Sequence, residues 1–362
     1  MKNKTVLIGL SGGVDSAVAA LLLKKQGYKV IAAFMKCFSD TKDPLTGECS
    51  WLNDRKDAQK IAAKLEIPFI TLDLEKQYKS QIINPMLSAY SKGLTPNPDI
   101  SCNTIIKFPW LRKEAKKLNI DYIATGHYVK IKKTSKGYNL LAGKDKSKDQ
   151  SYFLYELSQS DLKQAIFPVG NMKKEDVRKI AKSNKLFNWN KKGTRGICFV
   201  GKVNMFDFLS SRIKQNPGIV LNPEGKQIGT HKGISFYTIG QRIHPSIGID
   251  IQKPDPRIKW YVAEKNKNNT IIAAPESHPI LRKSKIIIKN LHIINPNEKI
   301  PTNLKVRIRH LGKFLQGKIT KKKNKYIFML SKPTEGIAEG QSIVLYKNNI
   351  VIGGGEITNL LK

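Results

Sequence analysis

Regular patterning begins with an apolar run, Val6–Leu10, that leads directly into the polar, glycine-bearing stretch Ser11-Gly-Gly-Val-Asp-Ser16. An Ala/Leu-rich segment, Ser16–Gln26, follows and stops at Gly27, a residue suited to the position just past a helix end. Lys29–Met35 is the next apolar run. Asp54–Leu65 reads as a helix, Pro68–Leu74 as a strand, Thr104–Leu118 as a helix and Tyr122–Val129 as a strand. This alternation predicts an α/β fold built on a doubly wound parallel sheet, because parallel neighbours need a crossover and a helix usually supplies it.

The rhythm changes near residue 203. Residues 204–275 carry closely spaced Gly and Pro turn signals and few long helical stretches. From about residue 280 the pattern is β: Lys305-Val-Arg-Ile-Arg309 alternates basic and apolar residues, as does much of Lys325–Leu330. The expected organisation is a first domain over 1–202, a small mixed central domain over 203–278 and a C-terminal β-barrel over 279–362. Lys305, Arg307 and Arg309 would share one strand face, either a surface for phosphates or an ordinary solvated face. The charge run Lys321–Lys323 reads as a hairpin tip.

Composition narrows the partners. Of 362 residues, 40% are hydrophobic, enough for real cores, and 64 Lys and Arg against 28 Asp and Glu give a formal net charge of +36. Such a charge suits a polyanion, nucleic acid first, although a bias toward Lys, Asn and Ile would also produce it. The start, Met1-Lys-Asn-Lys, leads into an apolar run too short for a secretory signal or a membrane span. Four cysteines (Cys37, Cys49, Cys102, Cys198) do not form a disulfide framework. The expectation is a cytoplasmic protein with reduced thiols at rest and no membrane partner.

Ser11–Ser16 lies between a strand and a helix, at the strand's carboxyl end. Glycines allow close approach of the backbone, the helix start offers free N–H groups and positive potential, and Ser11 and Ser16 add hydroxyls; together these suit phosphate. The alternative is a plain glycine turn. Gly312-Lys-Phe-Leu-Gln-Gly-Lys318 also fits a phosphate-loop pattern, but Ile319 replaces the expected Ser or Thr and β signals surround it, so it reads as a hairpin.

S-G-G-x-D-S after a first strand resembles the pyrophosphate-binding loop of the ATP pyrophosphatase superfamily. Thr95-Pro-Asn-Pro-Asp-Ile-Ser-Cys102-Asn, Ala124-Thr-Gly-His-Tyr128, Lys148-Asp-Gln-Ser-Tyr-Phe-Leu154, Phe167-Pro-Val-Gly170, Gly196-Ile-Cys-Phe199 and Thr238-Ile-Gly-Gln-Arg242 occur in this order. Together they resemble the bacterial tRNA-specific 2-thiouridylase (MnmA) family, from Gly9 to Gly353-Gly-Gly355. One departure is Gly193-Thr-Arg195 where the family often has Asp-Ser-Thr, which puts the contacts of the loop around Cys198 in question.

The resemblance implies a PP-loop catalytic domain over 1–202, a tRNA-binding and linking domain over 203–278, and a tRNA-binding barrel over 279–362. It implies ATP and Mg²⁺ as cofactors, with Gly9, Leu10, Ser11, Gly12, Gly13, Val14, Asp15, Ser16, Met35 and Gly126 at the nucleotide. No protein-held metal is expected. Asn97, Pro98 and Asp99 would meet the target base, uridine 34 of the anticodon. His127, Lys148, Asp149, Gln150, Arg309, His310 and Gln341 would touch tRNA, expected to be the Lys, Glu and Gln isoacceptors. ATP would adenylate the C2 oxygen, with release of pyrophosphate and then AMP. Cys198 would carry sulfur as a persulfide, Cys102 would serve as the second thiol, and Asp99 would be a general acid/base. A cysteine desulfurase or a sulfur-relay protein would be the donor. Cys37 and Cys49 read as small buried hydrophobes. Competing readings are an amide-forming ligase that needs no cysteine pair, a non-catalytic RNA-binding protein, and an iron–sulfur cluster on Cys102, Cys198 and Asp99, for which no C-x-x-C exists.

Overall fold

In the computed structural model the described residues are 4–40, 50–193, 198–200, 204–266, 268–323 and 325–358. Cys49 and Gly193-Thr-Arg195 beyond its glycine lie outside them. The first unit is a parallel sheet whose strands run in the order Phe69–Asp73, Lys29–Lys36, Thr5–Gly9, Tyr122–Ala124, Ala165–Ile166. The central strand is apolar at every inner position, and the pleat divides these side chains between two cores. Val6 and Ile8 pack with the helices Val14–Lys25, Ser50–Lys64 and Lys174–Ser183; Leu7 packs on the opposite side with Phe108 and Leu111. This is the doubly wound arrangement expected from the alternating pattern.

Two local departures shape the functional edge. The helix predicted over Thr104–Leu118 starts earlier, as a continuous run Pro98–Ser101, Cys102–Lys107 and Phe108–Lys117 whose middle piece is π-helical. Pro98 occupies the first turn, where its missing N–H costs nothing. The strand predicted over Tyr122–Val129 stops at Ala124. Gly126, two residues on, lies against the first loop: a Cβ there would stand 2.7 Å from Ser16 N. The backbone must turn to make that approach, and Val129–Thr134 opens a separate hairpin with Gly137–Ala142.

The central unit is a sheet ordered Ile249–Ile251, Gln227–His231, Gly218–Leu221, Thr270–Pro275, Trp260–Asn266. The C-terminal unit closes on itself through Arg282–Ile293, Lys325–Glu335, Leu315–Lys322, Asn303–Arg307, Ser342–Lys347 and Ile350–Thr358, the last pairing with the first. Ile286, Val306, Phe328, Ile343, Leu345 and Ile357 fill its interior. Gly312–Lys318 belongs to the connection and strand of an antiparallel pair, with Val306 opposite Leu315. The hairpin Val129–Ala142 from the first unit adds to the edge of Ile350–Thr358, pairing Leu141 with Ile350 and Leu140 with Val351. The two units therefore share a sheet, a connection that local patterning does not announce.

Candidate active site

The stretch Leu10–Ser16 leaves the central strand at its carboxyl end and enters the helix Val14–Lys25. Gly12 has φ of 74°, and a Cβ on it would sit 2.5 Å from Asp54 O. Its shape is held by Ser16, which is buried: Ser11 N donates to Ser16 Oγ at 3.2 Å, and Ser16 Oγ donates to Gly13 O at 3.1 Å. Asn188 Nδ2 reaches Gly12 O at 3.1 Å. Ser11 is exposed and Gly13 half-buried, so the helix start faces outward with its free N–H groups. Gly12 and Gly126 let the neighbouring backbone close in around the loop, and the outward-facing helix terminus with its free N–H groups fits an ATP phosphate chain. Leu10 and Val14 face the core instead, and Met35 is buried with its Cε 3.3 Å from where a Gly9 Cβ would stand.

Asp15 is held by Lys174, which no motif marks, and by Tyr128, the last residue of the stretch Ala124–Tyr128. Lys174 Nζ lies 2.6 and 2.7 Å from its two carboxylate oxygens, and the Tyr128 hydroxyl donates to Oδ1 at 2.7 Å. Lys174 begins the helix that follows the last strand of the sheet, and loops after parallel strands reach the same carboxyl edge. That topological rule was the available signal.

The second half of the site is a thiol centre on the same edge, joined to the loop through Gly126, His127 and Phe108. His127 is buried, hydrogen-bonds through Nδ1 to Thr125 Oγ1 at 2.7 Å and stacks on Phe108 at 6.1 Å. Burial, aided by the charge of Lys107, holds it well below the usual histidine range and so neutral. Cys102 is fully buried at the start of the π-helical piece and Cys198 is half-buried. The two thiols meet. Burial, then hydrogen bonding to Cys198 and its charge, pushes Cys102 far up, whereas hydrogen bonding from Cys102 and the nearby Lys107 charge bring Cys198 down despite burial. Lys107 Nζ is 3.8 Å from Cys198 Sγ. In a π-helical turn hydrogen bonds span five residues, which brings Cys102 and Lys107 round toward one side.

Asp99 anchors the loop bearing Cys198: Cys198 N donates to Asp99 Oδ1 at 2.9 Å. Burial raises this carboxyl, against that hydrogen bond and Lys107. The Tyr78 hydroxyl donates to Cys198 O, and its ring meets Phe199, whose φ is 66°, edge-on at 5.9 Å. Cys37, the other described cysteine, is buried beside the pair, and burial pushes its thiol up.

The residues matched to tRNA contact divide into two sets. Lys148 and Arg309 are exposed. Asp149 is buried, paired with Arg307 at 2.5 Å across the shared sheet, and accepts from Gly143 N and Ser151 N. Arg307 therefore does not share a solvated face with Lys305 and Arg309: it is buried, stacked on Phe314 at 4.1 Å, because the Asp149 carboxylate is there to receive it. Gln150 Oε1 accepts from Tyr128 N at 3.0 Å. Gln341 Nε2 donates to Thr95 O at 2.9 Å and Pro96 O at 3.3 Å, so the barrel holds the approach to Asn97 and Pro98. Asn97 hydrogen-bonds to Tyr152. His310 is half-buried with its ring 4.2 Å from that of Phe153.

Family models cover three segments: the tRNA methyl transferase HUP domain over residues 4–202, the tRNA methyl transferase PRC-barrel domain over 206–275, and the aminomethyltransferase beta-barrel domain over 283–357. Among curated proteins, the chain is 38% identical to a tRNA-specific 2-thiouridylase MnmA of Geobacillus kaustophilus, over all of this chain and 97% of the relative. It is 41% identical to the tRNA-specific 2-thiouridylase MnmA of Buchnera aphidicola, over 99% of this chain and 98% of the relative. The protein of that name from Blochmanniella floridana is 42% identical, over 98% of this chain and 96% of the relative.

Proposed function

This chain belongs to the tRNA-specific 2-thiouridylase family, and from that premise we propose how its residues divide the work. The activity is a sulfurtransferase reaction that converts a tRNA uridine to 2-thiouridine, at position 34 in the present reading. ATP supplies the adenylyl group that makes the C2 oxygen a leaving group, and the stretch Leu10–Ser16 with Gly126 holds its phosphates. Asp15, oriented by Lys174 and Tyr128, is the acidic group at that loop, where a Mg²⁺ ion accompanying the nucleotide would be met.

The observation that carries the sulfur half is the meeting of Cys102 and Cys198 beside Lys107. Thiolates are the nucleophiles in sulfur exchange, and Cys198 is the one of the pair pushed toward the thiolate. Cys198 takes sulfur from a donor persulfide, which leaves as a thiolate. The terminal sulfur then attacks C2 and AMP departs, leaving a base–S–S–Cys198 link. Cys102, its proton lost, attacks Cys198 Sγ; the S–S bond breaks, 2-thiouridine leaves and a Cys102–Cys198 disulfide forms. An external thiol reductant then restores both thiols. The charge on the Cys198 side that helps to keep Cys102 protonated disappears once the terminal sulfur has bonded to C2, so the second thiol is released for attack at the stage that uses it. Asp99, a buried carboxyl beside the pair, is the proton acceptor in this scheme. Asn97 and Pro98 receive the base; Lys148 and Arg309 meet RNA directly, while Asp149, Gln150, His127 and Gln341 hold the segments that do. His310 stands at the same junction.

Mass analysis of tRNA nucleosides after incubation with ATP, Mg²⁺ and a persulfide donor tests this reading. ATP-dependent 2-thiouridine is expected. Thiolation that survives loss of both Cys102 and Cys198 overturns the cysteine mechanism, and a methylated nucleoside in its place would favour the transfer named in the family-model descriptions.

A further inference from the structure

We infer that Lys107, with the Cys102 thiol, forms a cradle for anionic sulfur that holds first the Cys198 thiolate and then the terminal sulfur of the Cys198 persulfide. The persulfide half rests on the sulfur-transfer reading above; the thiolate half does not. Lys107 is half-buried at the end of the π-helical piece, with Nζ 3.8 Å from Cys198 Sγ and 5.7 Å from the centre of the Phe199 ring. The ionisable groups near it are Cys198, Cys102, Asp99, Cys37 and His127. The first four become anions on losing a proton, and His127 is neutral. Burial lowers Lys107, but the negative charge of its neighbours, Cys198 first, outweighs burial and holds it above the usual lysine range as an ammonium. Facing Cys198 itself are Cys102, Lys107, Asp99, Cys37 and Tyr78. Of these, Lys107 carries the compensating positive charge and Cys102 the donor hydrogen.

The chemistry favours lysine at this point. When the Cys198 thiolate attacks the outer sulfur of a donor persulfide, the donor S–S bond breaks and the Cys198 S–S bond forms, without net oxidation. Once its proton is lost to solvent, the negative charge sits on the outer sulfur, one S–S bond of about 2 Å beyond Sγ. A compact ammonium with three donors on a flexible stem can follow that displacement; a planar guanidinium is less able to. The loop carrying Cys198 is meanwhile fixed at its backbone by Asp99 and Tyr78, so the sulfur shifts while the main chain stays in place.

The test uses the full-length protein and two readouts. Cys198 is half-buried and reachable, so its alkylation by iodoacetamide can be followed against pH by peptide mass. The wild-type midpoint should lie below that of a free cysteine thiol. In Lys107→Met it should rise by about one pH unit or more, slowing alkylation near neutral pH about tenfold, since an opposite charge at this range shifts a pKa by about 1–3 units. Lys107→Arg should restore the midpoint. With inorganic polysulfide as the sulfur source, persulfide on Cys198 should fall in Lys107→Met and recover only in part in Lys107→Arg. Retained ATP binding checks that each variant is folded; should Lys107→Met fail that check, the wild-type midpoint decides alone. A wild-type midpoint at or above that of a free thiol, or one unchanged in a folded Lys107→Met, overturns the proposal. A wild-type protein that thiolates no tRNA, with the midpoint shift intact, removes the sulfur-transfer reading and leaves the thiolate cradle standing.

Discussion

The nucleotide loop and the thiol centre occupy one edge of one sheet and are built in opposite ways. The loop is a contiguous run, Leu10–Ser16, whose conformation is settled largely by its own glycines and serines. Among its long-range partners, Asn188 adds one bond to the backbone at Gly12, and Lys174 and Tyr128 aim its single carboxylate. The thiol centre has no such local unit. Cys198, Asp99 with Cys102 and Lys107, and Tyr78 arrive on three separate segments, and each acquires its chemistry from the other two. A motif can therefore specify a loop's shape by itself, whereas tuned reactivity needs charges and low-dielectric surroundings that only folding assembles.

The sharpest way to break this comparison is to disable each half alone. Gly12→Val places a Cβ against Asp54 O and forces a branched residue to φ of 74°, so adenylation should be lost while tRNA binding persists. Cys198→Ser should do the converse: ATP and tRNA still bind, but no transferable sulfur is loaded. Cys102→Ser should accept labelled sulfur on Cys198 and yield little product. Wild type after one turnover without reductant should show a Cys102–Cys198 disulfide on peptide mapping. Loss of tRNA affinity in Gly12→Val equal to the loss of adenylation would mean that the loop is structural.

The next effect concerns the large RNA that both halves serve. If about 6–10 phosphates are engaged, tRNA affinity should fall about 10³- to 10⁵-fold between about 50 and 200 mM salt, and Arg309→Ala should reduce the slope by about one. A flat titration would mark the charge of +36 as compositional bias.

A smaller effect tests whether the barrel and the first unit act as one body. Asp149 and Arg307 are both buried, so Asp149→Asn or Arg307→Met alone should lower unfolding free energy by about 3–5 kcal/mol in denaturant titrations, since each leaves an unpaired buried charge or its partner unsatisfied. The double variant should recover part of that loss. Additive losses would show that the pair does not couple the units.

The smallest effect is a pH dependence at the same junction. Burial, outweighing Asp149 and reinforced by Arg307 and Lys148, lowers His310 to about 4. A lowered histidine binds fewer protons folded than unfolded between its two pKa values, so stability should fall as pH drops from about 6.5 toward 4. After allowance for solvent screening the loss is about 1–2 kcal/mol. His310→Gln should flatten that part of a stability–pH curve, and an unaltered slope there would assign the acid sensitivity elsewhere.

The amino-acid order alone determined the parallel sheet, the change to β patterning in the C-terminal part and the glycine turn that joins the first strand to its helix, because period, turn chemistry and glycine placement act over a few residues. Cys102, Cys198 and Asp99 stood out only because the short motifs around them resemble those of the 2-thiouridylase family. Lys107 and Lys174 carried no local mark: one lies five residues past Cys102 in what reads as an ordinary helix, the other in a Lys-rich stretch at the start of a helix. Only the tertiary structure decided that a π-helical turn brings Lys107 to Cys198, and that Arg307, with the same alternation as its neighbours, turns inward to Asp149. The physical reason is range. Sterics and hydrophobic periodicity are short-range and written residue by residue; the state of a thiol or a buried charge depends on which distant groups share its few ångströms and on the water they exclude.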